Sequence, residues 1–154
     1  MHLGSIALVT SGCLDDECER HDSDPLEYRG GNTFAGEYYE TGSLEEPFLY
    51  FPAGRKYELV HGLTEAPTEL HAYLAFAECP LSSSVRNPGG APRCEPVDAE
   101  SGGGGFSEGA GNQALFEVRD DRVVLVRNDT CAEFYLRVVA RTAAATTTAD
   151  AGTP

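Results

Sequence analysis

Between Phe34 and Arg141 the apolar side chains fall in short runs, several of them alternating with polar ones, and turn residues interrupt them at regular intervals. Along 69–78, Leu70, Ala72, Leu74 and Phe76 share one face, and His71, Tyr73, Ala75 and Ala77 share the other. Along 132–140, Phe134, Leu136 and Val138 oppose Glu133, Tyr135 and Arg137. A period of two places successive side chains on opposite sides of a pleated strand, and one apolar face marks a sheet packed on one side. Strands are predicted over 34–40, 47–52, 55–61, 69–78, 113–118, 122–127 and 132–140. Turns are marked by Pro52-Ala53-Gly54, Arg119-Asp120-Asp121 and Asn128-Asp129-Thr130. No segment keeps an apolar period of 3.6 over three turns, so helices are not expected. The expectation is an all-β fold, an antiparallel β-sandwich of about seven strands, immunoglobulin-like or jelly-roll-like, over 34–141.

The remaining segments follow other patterns. Residues 3–12, LGSIALVTSG, carry no charge and end at Cys13. Residues 14–33 hold seven acids and few large apolar groups, too little to offset the entropy of ordering, and are expected to be an acidic disordered tether. Residues 80–112 contain eight Gly and four Pro, including the run Gly102 to Gly105, and predict a long flexible loop inside the sandwich. The Ala/Thr-rich end, 142–154, is expected to be disordered.

Composition narrows the functional classes. The 154 residues carry 25 acids against 11 bases, a net charge of −14. Such a chain repels the phosphate backbone that a nucleic-acid binder must neutralise, which argues against a DNA or RNA partner. No run reaches the roughly 20 apolar residues of a membrane-spanning helix.

Five cysteines leave one over after pairing. Cys13 follows Val9-Thr10-Ser11-Gly12, and this stretch resembles the lipobox of bacterial lipoproteins, in which small residues precede a cysteine that is diacylated and becomes the new N-terminus. Ser11 and Gly12 match the small positions and Cys13 the modified one. Thr10 stands where the family usually has an aliphatic residue, and the basic start of a secretory signal is missing before the apolar run. The resemblance implies a truncated signal segment over 1–13, a lipid anchor on Cys13, and an extracytoplasmic place on the bacterial membrane, outer membrane or cell surface. Secreted, periplasmic and cytosolic locations stay open. With Cys13 set aside, Cys18, Cys79, Cys94 and Cys131 allow three pairings. Cys79 with Cys94 is preferred, since it closes a loop of about 15 residues worth about 3 kcal/mol, and it leaves Cys18 with Cys131.

Several motifs bear on chemistry. Gly105-Phe106-Ser107-Glu108-Gly109 fits G-x-S-x-G, but the strand-to-helix turn that exposes such a serine is not predicted there, so no catalytic role is assigned to Ser107. Gly109-Ala110-Gly111-Asn112-Gln113-Ala114 fits G-x-G-x-x-A, yet the residues after it read as a strand where a dinucleotide site needs a helix. Lys56, the only lysine, follows no phosphate-binding loop, and no nucleotide or other cofactor is expected. His61 and His71 fall on opposite kinds of face, one apolar and one outward, so no metal site is expected between them. The carboxylates Asp15, Asp16, Glu17, Asp22 and Asp24 lack the spacing of a calcium loop. Asn128-Asp129-Thr130 is a glycosylation sequon, which carries meaning only in a eukaryotic source. Tyr38, Tyr39, Tyr50, Tyr73 and Tyr135 could line one sheet face, where planar rings would stack on a sugar or anchor a protein partner. Tyrosine also suits strands for packing alone.

Phe51-Pro52-Ala53-Gly54-Arg55-Lys56-Tyr57, Glu69-Leu70-His71-Ala72-Tyr73-Leu74 and Glu133-Phe134-Tyr135-Leu136-Arg137-Val138 together resemble the prepeptidase C-terminal type of bacterial β-sandwich. That resemblance implies an accessory binding or spacing domain and no catalysis. The function expected is a non-enzymatic, membrane-anchored lipoprotein that binds or spaces something at the cell envelope, a protein or a glycan. The competing expectation is a small secreted enzyme or enzyme inhibitor acting through 80–112.

Overall fold

The computed structural model describes residues 24–86, 92–95, 105–109 and 113–143, and their elements are twelve β-strands. In chain order these are β1 (Leu26–Tyr28), β2 (Asn32–Phe34), β3 (Tyr38–Glu40), β4 (Leu49–Phe51), β5 (Lys56–Val60) and β6 (Glu69–Ala75). They continue with β7 (Ser83–Arg86), β8 (Pro92–Glu95), β9 (Phe106–Glu108), β10 (Leu115–Val118), β11 (Val123–Arg127) and β12 (Phe134–Arg141). One sheet runs β1-β5-β11-β10, and a larger one runs β2-β3-β12-β6-β9, with β4 beside β3 on the same edge of β12. β7 and β8 form a separate hairpin. Among the described pairings only β1 with β5 is parallel.

The all-β sandwich is therefore present, and its core is the one the alternation marks. Leu136, Val138 and Ala140 of β12 meet Ala72 and Leu74 of β6, and Leu59 and Val126 come from the opposing sheet. Each leucine or valine among them contributes roughly 1.5–3 kcal/mol when taken out of water. β12, at eight residues, is long enough to pair with β6 along one edge and with both β4 and β3 along the other.

Local details depart from the pattern. The strand expected over 34–40 is a hairpin, β2 turning into β3 at Ala35 and Gly36, both at positive φ (51° and 73°). Within the segment expected to be a tether, residues 26–28 form β1 and 32–33 begin β2. Tyr28 explains part of this, for its ring packs against the core and its hydroxyl donates to the carbonyl of Thr41 at 2.9 Å. Backbone pairing with β5 supplies the rest. The connection expected to be a loop, 80–112, holds β7, β8 and β9, the last paired antiparallel to β6. β6 stops at Ala75, so Phe76, expected on the inner face, is 83% exposed.

Candidate binding face

The outer side of the larger sheet gathers most of the polar and aromatic residues that recognition would need. β12 turns Leu136, Val138 and Ala140 inward, so Tyr135, Arg137, Val139 and Arg141 lie on the outer side. Register then sets Tyr50 opposite Tyr135, Tyr73 opposite Arg137, His71 opposite Val139, and Tyr38 opposite Arg141. Four of the five tyrosines singled out in the sequence thus share one face. The fifth, Tyr39, points the other way and is buried in the core.

The rings on this face are engaged with one another and with cations. Tyr50 and Tyr135 have centroids 5.6 Å apart with planes tilted by 51°. The Arg137 guanidinium lies 5.3 Å from the Tyr73 centroid and that of Arg141 lies 5.5 Å from Tyr38. Such contacts are worth about 0.5–1 kcal/mol at exposed sites and more when desolvated. Phe34 packs 5.6 Å from Tyr38, and Phe106 meets Tyr73 edge-on at 5.7 Å. Tyr50 and Phe34 remain 45% and 51% exposed, which leaves ring surface open to a partner. A hydrogen bond to Glu133 raises the Tyr50 phenol above its ordinary pKa.

Two charged arrangements fix this surface. Arg137 donates through Nε to the carbonyl of Gly42 at 2.7 Å and through Nη2 to Glu40 Oε2 at 2.5 Å. Tyr38 donates its hydroxyl to the same carboxylate oxygen at 2.9 Å. The second arrangement centres on His71, whose Nε2 lies 2.6 Å from Glu69 Oε1 and whose Nδ1 lies 2.5 Å from Glu108 Oε1. Hydrogen bonds to Glu108 and then to Glu69 raise the imidazole pKa above its usual value. The same contact with His71 lowers the pKa of Glu69.

Among the described residues, the serine of the G-x-S-x-G stretch does not join this face. Ser107 lies in the middle of β9 opposite Leu74, so alternation sets it on the other face from Glu108 and His71. Its segment is an extended strand, without a nucleophile elbow. His61 lies in the core, 6.1 Å from the Tyr39 ring, and the two histidines do not meet. Among the described residues no group of three His, Cys, Asp or Glu could hold a metal ion. The stretch after Ala114 is strand β10, as expected.

Cys79 and Cys94 are joined, with Cα atoms 5.5 Å apart, and the bond staples the chain before β7 to β8. Cys131 is also disulfide-bonded. Cys13, Cys18, the carboxylates from Asp15 to Asp22 and residues 110–112 lie outside the described residues. Asn128 is fully buried and its carboxamide donates twice to backbone carbonyls, so the sequon is a structural tie. Sequence reasoning passed over Glu40 and Glu108 as partners. The alternation that places Arg137 outward was visible, but which acid meets it depends on register between distant strands. No family model, curated protein or solved structure matches the chain.

Proposed function

We propose that the chain is a non-enzymatic, lipid-anchored extracytoplasmic module of the bacterial envelope, binding a protein or glycan partner through the outer face of its larger sheet. The observation that carries this reading is the cysteine chemistry. Cys79–Cys94 is closed and Cys131 is disulfide-bonded, and such bonds persist in oxidising compartments. Cys13, in its lipobox-like setting, is the anchor of this reading, which leaves Cys18 to pair with Cys131. The exposed Tyr50, close to Tyr135, favours binding over passive spacing, because amphipathic rings with open area are the groups that anchor partners. The resemblance to prepeptidase C-terminal domains points the same way. Intact-mass analysis of the protein expressed from its native gene in a bacterial host tests it. The expected product begins at a diacylated Cys13, and Cys13→Ser abolishes the modification. An unmodified Cys13, or a chain that keeps residues 1–12, overturns the anchor.

A second reading, an inhibitor acting through 80–112, draws support from one feature, the disulfide beside the β7–β8 hairpin. Limited proteolysis separates the two. An inhibitor loop stays uncut when oxidised and is cleaved after reduction, whereas a spacer is cut within 80–112 in both states.

A further inference from the structure

We propose that His71 is a pH-controlled latch that holds β9 on the edge of β6, closed when the imidazole carries both protons and released when it loses one. β9 is three residues long and, among the described residues, pairs only with β6, through Phe106, Ser107 and Glu108. One further backbone bond, from Gly109 N–H to the Ala72 carbonyl at 2.7 Å, continues that pairing. So short an edge strand has few backbone bonds to keep it docked. Among the described residues, the charged side-chain contact across this seam is Glu108 to His71.

The chemistry of the contact dictates its pH response. Both imidazole nitrogens face carboxylate oxygens at hydrogen-bond distance, one on β6 itself and one on β9. An ionised carboxylate only accepts, so both nitrogens must donate, and that requires the imidazolium. A neutral ring can donate to one carboxylate only and turns a lone pair toward the other. The groups around the ring reinforce the cationic form's partners. Glu69 is also met by Arg141 of β12 at 3.6 Å, and Tyr73 stacks 6.4 Å from the imidazole. Arg137 of β12 is held by Glu40 of β3 and lies over Tyr73, so it does not compete for Glu108. Phe106, carried by β9, sits edge-on to Tyr73 and 6.1 Å from Phe48, so release of β9 would also uncover rings of the outer face.

The sign follows from the raised pKa. The latch is fully engaged below the free imidazole value of about 6.5 and is lost as pH rises through the higher value of the docked state. Hydrogen–deuterium exchange of the full chain, expressed as protection factors so that intrinsic exchange cancels, tests it between about pH 6 and 9. Protection of the β9 amides and of Gly109 is expected to fall about twofold to fivefold across that range, while β11 amides keep theirs. His71→Gln, which donates but carries no charge, should flatten the β9 response, and Glu108→Gln should do the same. A wild-type β9 whose protection does not change with pH overturns the latch. So does a response that survives in both variants.

Discussion

The guanidinium of Arg137 stands 2.5 Å from the carboxylate of Glu40, 97 residues earlier in the chain, with both side chains almost fully buried. The pair marks the point on β12 between its pairing with β3 and its pairing with β4. There Thr41 closes the gap, its N–H donating to the Val138 carbonyl and its hydroxyl accepting from the Val138 N–H. Arg137 adds the Gly42 carbonyl, so the chain leaving β3 is tied where it turns away from the sheet.

Removing one partner leaves the other charge buried and alone, which typically costs about 3–5 kcal/mol, a large part of a domain's stability. Arg137→Ala and Glu40→Ala should each shift the urea midpoint by that equivalent, under oxidising conditions. The double variant Glu40→Met/Arg137→Met should recover most of the loss, since no unpaired charge remains. Double-mutant coupling near zero would remove the pair from the account of the sheet.

Asn128 joins two distant turns. Its Nδ2 donates to the Phe51 carbonyl at 3.0 Å and to that of Ala132 at 2.8 Å, and its Oδ1 accepts from the Thr130 N–H and hydroxyl. Asn128→Ala deletes this set inside a fully buried site and leaves carbonyls without donors, a loss of about 3 kcal/mol. Asn128→Asp keeps the acceptor but adds a buried charge, and it should be less stable still. Thermal unfolding of both variants checks the order.

The hairpin between β2 and β3 carries a local cost. Ala35 is the one non-glycine residue at positive φ among those described, and a side chain there costs about 1–2 kcal/mol. Ala35→Gly should relieve it and raise stability by up to about 1 kcal/mol after the added freedom of the unfolded glycine is counted. A rise in midpoint temperature is expected. A fall would mean that the turn is set by contacts of the Ala35 methyl group.

What was readable from the sequence was whatever repeats locally. The alternation in 69–78 and 132–140 assigns the two central strands, and the structure agrees on the inward sets Leu70, Ala72, Leu74 and Phe134, Leu136, Val138, while Phe76 falls beyond the end of β6 and is exposed. It also places Tyr73, Tyr135 and Arg137 outward. The features that depend on distant pairing were out of reach. β1 lies in acidic sequence and takes its place from parallel pairing to β5. β9 follows a glycine run and forms because the edge of β6 is open to it. Glu108 meets a histidine 37 residues earlier, and no spacing rule links the two. The turn at Ala35 was hidden because alanine gives no sign of a left-handed backbone.

His61 should impose a pH dependence opposite in sign to that of His71. It is buried in the core, its Nδ1 accepts from the Leu63 N–H at 3.4 Å, and its Nε2 has no hydrogen-bond partner. Burial lowers its pKa, with Asp120 and Asp121 opposing the shift only in part. At pH values below the unfolded imidazole's pKa of about 6.5, the unfolded chain therefore binds a proton that the folded chain resists. Stability contributed by neutral His61 is complete above that value and is lost as pH falls, by up to about 1.4 kcal/mol per unit of depression. Urea midpoints from pH 7 down to 5 should decline in the wild type, and more shallowly in His61→Leu, whose side chain needs no proton. His71→Gln should leave this acid limb in place and alter only the alkaline side. An acid limb of unchanged slope in His61→Leu would assign it to other groups.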